Sequence, residues 1–87
     1  MGNAENNEIA KAFGAVLREA RTSRGLTQEE LAFSAQVDRT FIYRLEGGIR
    51  QPTISTIFRL AEALGLSVEF LAGQTQKKYS ERIFARA

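Results

Sequence analysis

The sequence predicts an all-α fold, and three observations carry that prediction. Apolar residues recur at three- and four-residue steps in each segment between turn signals: Phe13, Val16, Leu17 and Ala20; Leu31, Ala32 and Ala35; Ile54, Ile57, Phe58, Ala61 and Leu64. Helix-start residues stand immediately before these runs or new ones, at Thr27, Asp38, Thr53 and Ser67. Glycines follow them, at Gly25, Gly47-Gly48 and Gly65. A chain of 87 residues is one domain at most, and short helices with short connections suit a core of that size.

Residues 1–8 (MGNAENNE) are polar and acidic and read as a flexible N-terminus, with Asn7 a candidate cap for the first helix. From about Ile9 to Ser23 the Phe13–Ala20 spacing marks one buried stripe. Gly14 falls inside it, at about 1 kcal/mol relative to alanine, which points to another helix packed closely there. Gly25 stops this helix. The second begins at Thr27, where Glu30 completes a capping box and Leu26 with Leu31 forms a hydrophobic staple. Phe33 should face outward; it is expected to cover itself against Phe41, the alternative being an exposed aromatic that binds a partner. Gln36 and Val37 interrupt, and Asp38 is read as a second N-cap with a Val37–Ile42 staple. Helices joined by so short a turn cannot run antiparallel and cross steeply, as in a helix-turn-helix.

The third helix, Arg39 to Glu46, divides into two sides. Stepping about 100° per residue, Arg39, Thr40, Tyr43 and Arg44 fall within roughly 140° of one another, and Phe41, Ile42 and Leu45 lie opposite. Glu46 is at the border. A face with two guanidiniums, a hydroxyl, a phenol and no acid suits a polyanion. The loop that follows, Gly47 to Pro52, stops the helix; its paired glycines offer backbone amides which, with Arg50 and Gln51, are suited to a phosphate. Thr53 caps a fourth helix whose Ile54, Ile57, Phe58, Ala61 and Leu64 are assigned to the core. Ser67 caps a last short helix, Val68 to Ala72, with a Leu66–Leu71 staple.

The domain is thus placed at residues 9–73, followed by a basic extension at 74–87 (QTQKKYSERIFARA). The extension is read first as a dimerisation element, then as a helix docked on the domain, then as a disordered arm. Twelve Lys and Arg against ten Asp and Glu leave +2, too mild a balance to imply nucleic acid by itself. The lack of cysteine and histidine excludes disulfides, thiol chemistry and the usual zinc sites. No metal or cofactor is implied. No apolar run approaches the ~18 residues of a membrane span, and the N-terminus lacks the regions of a signal peptide, so a soluble cytoplasmic protein is expected. There is no acid pair in an obvious shared pocket and no phosphate loop of the right form, so no catalytic residues are assigned and an enzyme is not expected.

Four segments in order, RTSRGLTQEELA (21–32), DRTFIYRLEGG (38–48), Pro52-Thr53-Ile54 and LAEALGLSVEFL (60–71), resemble the Cro/repressor-type (XRE) helix-turn-helix regulators. The resemblance covers roughly 13–71 and departs at Gln36, where the family usually has glycine; a non-glycine residue there is expected at positive φ. It implies a five-helix, lambda-repressor-like domain with a short C-terminal extension, binding double-stranded DNA as a homodimer on a pseudo-palindromic operator. Carried onto this chain, Arg39, Thr40, Tyr43 and Arg44 become base-contact candidates, and Gln28, Gly48, Arg50 and Gln51 backbone-contact candidates. Gln28 at a helix start has an equally good reading as simple helix-start chemistry. The family pairing of arginine with the acid closing the recognition helix becomes Arg21–Glu46, the alternative being a solvated arginine. The dimer interface is expected in helix 5 and the extension. A second reading makes the chain an antitoxin whose extension, disordered until bound, masks a toxin protein. A third is a protein-interaction domain without DNA binding.

Overall fold

A computed structural model describes residues 3–86 and contains five helices: α1 (Asn3–Ser23), α2 (Gln28–Ala35), α3 (Arg39–Glu46), α4 (Ile54–Leu64) and α5 (Val68–Arg86). No strand occurs among the described residues. α1 is the spine, with α3 on one part of it and α5 along another, while α2 packs on α3 and α4. Contact on several sides explains why α1 buries Ala12 and Gly14 as well as Phe13, Val16 and Leu17. Leu17, Leu31, Ile42, Leu45, Leu60, Leu64 and Leu71 are fully buried, each contributing about 1.5–3 kcal/mol relative to exposure.

The connections are short because local chemistry closes each helix. Thr27 accepts from the Glu30 amide at 3.0 Å while the Glu30 carboxylate accepts from the Thr27 amide at 2.8 Å, a complete capping box. Thr53 and Ser67 cap α4 and α5 through bonds from the Thr56 and Phe70 amides. Asp38 occupies the N-cap position with extended backbone, but its carboxylate makes no capping bond. The first four helices end alike. A residue at positive φ (Gly25, Gln36, Gly48, Gly65) is followed by an amide that reaches back five residues: Leu26 to Arg21, Val37 to Ala32, Ile49 to Arg44, Leu66 to Ala61. Gln36, at φ 60°, does this with a side chain in place.

Four expectations are corrected. α1 starts at Asn3, not near Ile9, so the described part of the supposed flexible N-terminus is helical; Met1 and Gly2 lie outside the described residues. The last helix does not stop at Ala72 or Gly73 but continues to Arg86, so residues 74–86 are a helix docked on α1. Two ion pairs hold it there, Lys78–Glu19 at 3.2 Å and Arg82–Glu8 at 2.8 Å, which offsets the weak helix propensity of Gly73. In α4, Ile54 (64% exposed) and Phe58 (58%) are not core; the buried face is Thr56, Leu60, Ala61 and Leu64. Finally, Phe33 stays 86% exposed while Phe41 is half-buried against the core, so the two rings do not cover one another.

Candidate nucleic-acid interface

The α2–α3 pair is held at its crossing by the core and by a polar clamp at its far end. On α3, Ile42 and Leu45 are fully buried, and Arg39, Thr40, Tyr43 and Arg44 are all exposed. Eight residues with that division have one rotational setting available, because turning the helix would expose Ile42 and Leu45 together. The structure thus brings the four base-contact candidates onto one open side. Beside them lies a concavity of about 400 Å³ lined by Val37, Asp38, Thr40, Phe41 and Arg44. Asp38 was read only as a cap; uncapped, it places an acid next to Arg44 on this side, a feature the one-helix arc does not display.

The clamp centres on Glu46. Arg21 donates from Nε to Oε2 at 2.6 Å and from Nη2 to Oε1 at 3.0 Å, while its Nη1 donates to the Leu26 carbonyl at 2.8 Å. Gln28 Nε2 adds a bond to Oε1 at 3.1 Å. One carboxylate therefore ties together the end of α1, the first turn of α2 and the last turn of α3. Both side chains are largely desolvated, 12% exposed for Arg21 and 5% for Glu46. The hydrogen bond to Glu46 raises the Arg21 pKa above its ordinary value, desolvation opposes it, and the Glu46 charge reinforces it. Gln28 is engaged inward by this bond, bracing the helices.

The α3–α4 loop differs from the open amide cradle that its glycines suggest. The Gly48 amide donates to the Leu45 carbonyl at 3.1 Å, and those of Gly47, Ile49 and Arg50 also bond back into α3. Gly48 shapes the loop. Its φ is +72°, and a Cβ there would lie 2.7 Å from Lys11 Cγ and 3.0 Å from Lys11 Cα. Arg50 is exposed, and Gln51 gives one amide hydrogen to the Asn6 carbonyl at 3.2 Å, fastening the loop to α1. Lys11, exposed with its stem over Gly48, joins Arg50 in this region. Sequence reasoning missed Lys11 because only tertiary packing brings α1 beside this loop. Gly14 closes the assembly: a Cβ would collide with the Leu45 carbonyl oxygen and lie 2.8 Å from that of Glu46, so glycine lets α1 touch the backbone of α3.

Among the described residues there is no metal-binding cluster of His, Cys, Asp and Glu, and no helix is long and apolar enough to cross a membrane. The family model described as Helix-turn-helix matches residues 17–71. The HTH-type transcriptional regulator y4dJ of Sinorhizobium fredii (strain NBRC 101917 / NGR234) is 33% identical over 76 residues, covering 86% of this chain and 99% of that protein. The restriction-modification controller protein C.AhdI from Aeromonas hydrophila superposes with a TM-score of 0.70 at 40% identity, over 71% of this chain and 94% of that one. The controller protein C.Esp1396I, solved as a tetramer in complex with its natural 35 base-pair operator, superposes with a TM-score of 0.74 at 27% identity, over 82% of this chain and 93% of that one.

Proposed function

The chain belongs to the helix-turn-helix family of DNA-binding transcription regulators, and from that premise we propose that it is a controller-type, cytoplasmic regulator that binds a pseudo-palindromic operator as a homodimer through α3. The observation that supports this reading best is the exposed set Arg39, Thr40, Tyr43 and Arg44 on a helix whose other side is fully buried and whose end is clamped by Arg21 and Gln28. A helix of that width fits the major groove, and an arginine there can bind guanine O6 and N7 together. Arg44, Arg39 and Thr40 read base edges, and Tyr43 meets a thymine methyl or a phosphate. Arg50 and Lys11 hold the phosphate backbone, with the loop shaped by Gly48 and fastened by Gln51. Gln28 acts through Glu46, and the chain does no covalent chemistry.

The antitoxin alternative is not supported. It needs an extension that is disordered until bound, whereas residues 74–86 form a helix carrying two ion pairs to α1. The test of the DNA reading is a salt titration of operator affinity. Arg44→Ala should relax preference at one base position, a loss of about 1–3 kcal/mol against the preferred base. Arg50→Ala should weaken binding to all sequences and reduce the salt slope by about 0.9. Unchanged affinity and slope in both variants would show that this side of the molecule does not meet DNA.

A further inference from the structure

Of the eight large hydrophobic side chains left exposed among the described residues, five are on α4 and α5, so the unpaired apolar surface is concentrated away from α3. Ile54 and Phe58 lie one helical turn apart and form a ridge along α4. Next to it opens a groove of about 420 Å³, walled by Ile9 and Phe13 of α1, Pro52 and Ile57, and Ala72 and Tyr79 of α5. Ile83, one turn beyond Tyr79 and within about 40° of the same side of α5, prolongs that wall. No lining residue of the groove carries a charge, in a chain where 25% of residues do.

We propose that this α4–α5 face is where a second copy of the chain docks, the Ile54–Phe58 ridge of each copy seating in the groove of the other. A two-fold interface must be self-complementary, so ridge and groove have to lie on the same patch, as they do here. Depletion of charge with aromatic enrichment is the mark of an interface core. The long side of the molecule, 38 by 21 Å, matches the ~800 Å² per partner of a standard stable interface. α3 packs on α1 and α2, whereas α5 packs on α1 and α4, so docking through α4 and α5 leaves the outward side of α3 open in both copies. The inference rests on the DNA reading in that last requirement alone.

Sedimentation of the full chain without DNA tests it. Wild type is expected to be a dimer, and Ile54→Asp/Phe58→Asp a monomer with unchanged helical circular dichroism and a dimer dissociation constant raised at least ~30-fold. Phe33→Asp, equally exposed but on α2, should remain a dimer. The chain has no cysteine, so a single thiol adds a readout that does not depend on the aspartates: Phe58→Cys should give a bismaleimide-linked dimer and Phe33→Cys should not. A double-aspartate variant that still dimerises, or cross-linking through residue 33 and not 58, would overturn the proposal. So would a wild-type chain that stays monomeric at all concentrations, which would leave the groove to a small apolar ligand. Because no readout uses DNA, failure of operator binding would strike the proposed function and leave this interface standing.

Discussion

Arg21→Ala is the most exacting perturbation of this fold, because it strands a carboxylate that three helices share. In the wild type Glu46 accepts two bonds from Arg21 and one from Gln28, and its side chain is only 5% exposed. Removing the guanidinium leaves the Gln28 bond and a charge with little water to replace what was lost. Breaking a buried pair from one side costs about 3–5 kcal/mol. A domain of this length has a total stability of roughly 4–13 kcal/mol, so the loss is a large share of it. At about 4–8 °C per kcal/mol, the melting temperature should fall by at least about 12 °C. Thermal and urea unfolding followed at 222 nm measure this directly. The control is Arg21→Met/Glu46→Leu, which removes both charges and should recover much of the loss, since well-packed apolar pairs often match buried ion pairs in stability. On the alkaline side the raised Arg21 pKa keeps the pair's contribution fully present below the unfolded value of about 12.5; it is lost only as pH rises through the still higher folded value. An Arg21→Ala chain within 0.5 kcal/mol of wild type would refute the reasoning, because it would mean that the desolvated carboxylate needs no partner.

Three further outcomes are expected. Gly14→Ala should lower the urea midpoint by the equivalent of about 1–3 kcal/mol despite alanine's better helix propensity, because the new methyl would strike the backbone of α3; a stabilised variant would contradict the close approach. Gln36→Gly should be neutral or stabilise by up to about 1 kcal/mol, relieving a side chain held at φ 60°, and a clear loss in the same assay would show that the turn is not strained. Ending the chain after Gly73 should reduce thermal stability, since Tyr79, Lys78–Glu19 and Arg82–Glu8 go with it; an unchanged melting temperature would mean the second half of α5 adds nothing to the fold.

What could be read from the residues in order was what local chemistry decides. Thr27 with Glu30, Thr53 and Ser67 mark helix starts because a cap is a bond to an amide three residues away. Gly25, Gly48 and Gly65 mark ends for the same short-range reason, and even the positive φ at Gln36 followed from the length of the turn. The register of α3 was legible too, because eight residues with apolar and basic sides leave one way to bury the helix. The pairing of Arg21 with Glu46 came by resemblance rather than from spacing.

The tertiary structure decided everything that depended on which neighbour arrives. α4 has more apolar positions than its partners can cover, and only the packing of α2 and α5 selects Leu60, Ala61 and Leu64 over Ile54 and Phe58. The composition of residues 74–87 is compatible with an arm or a helix; Glu8 and Glu19 on α1 provide partners for Arg82 and Lys78, a fact stored some sixty to seventy positions away. Lys11 became a candidate beside Arg50 only because α1 crosses the loop at Gly48. Local bonds are written in adjacent residues, whereas burial is a choice among competing surfaces, and a single chain read end to end contains the candidates without the choice.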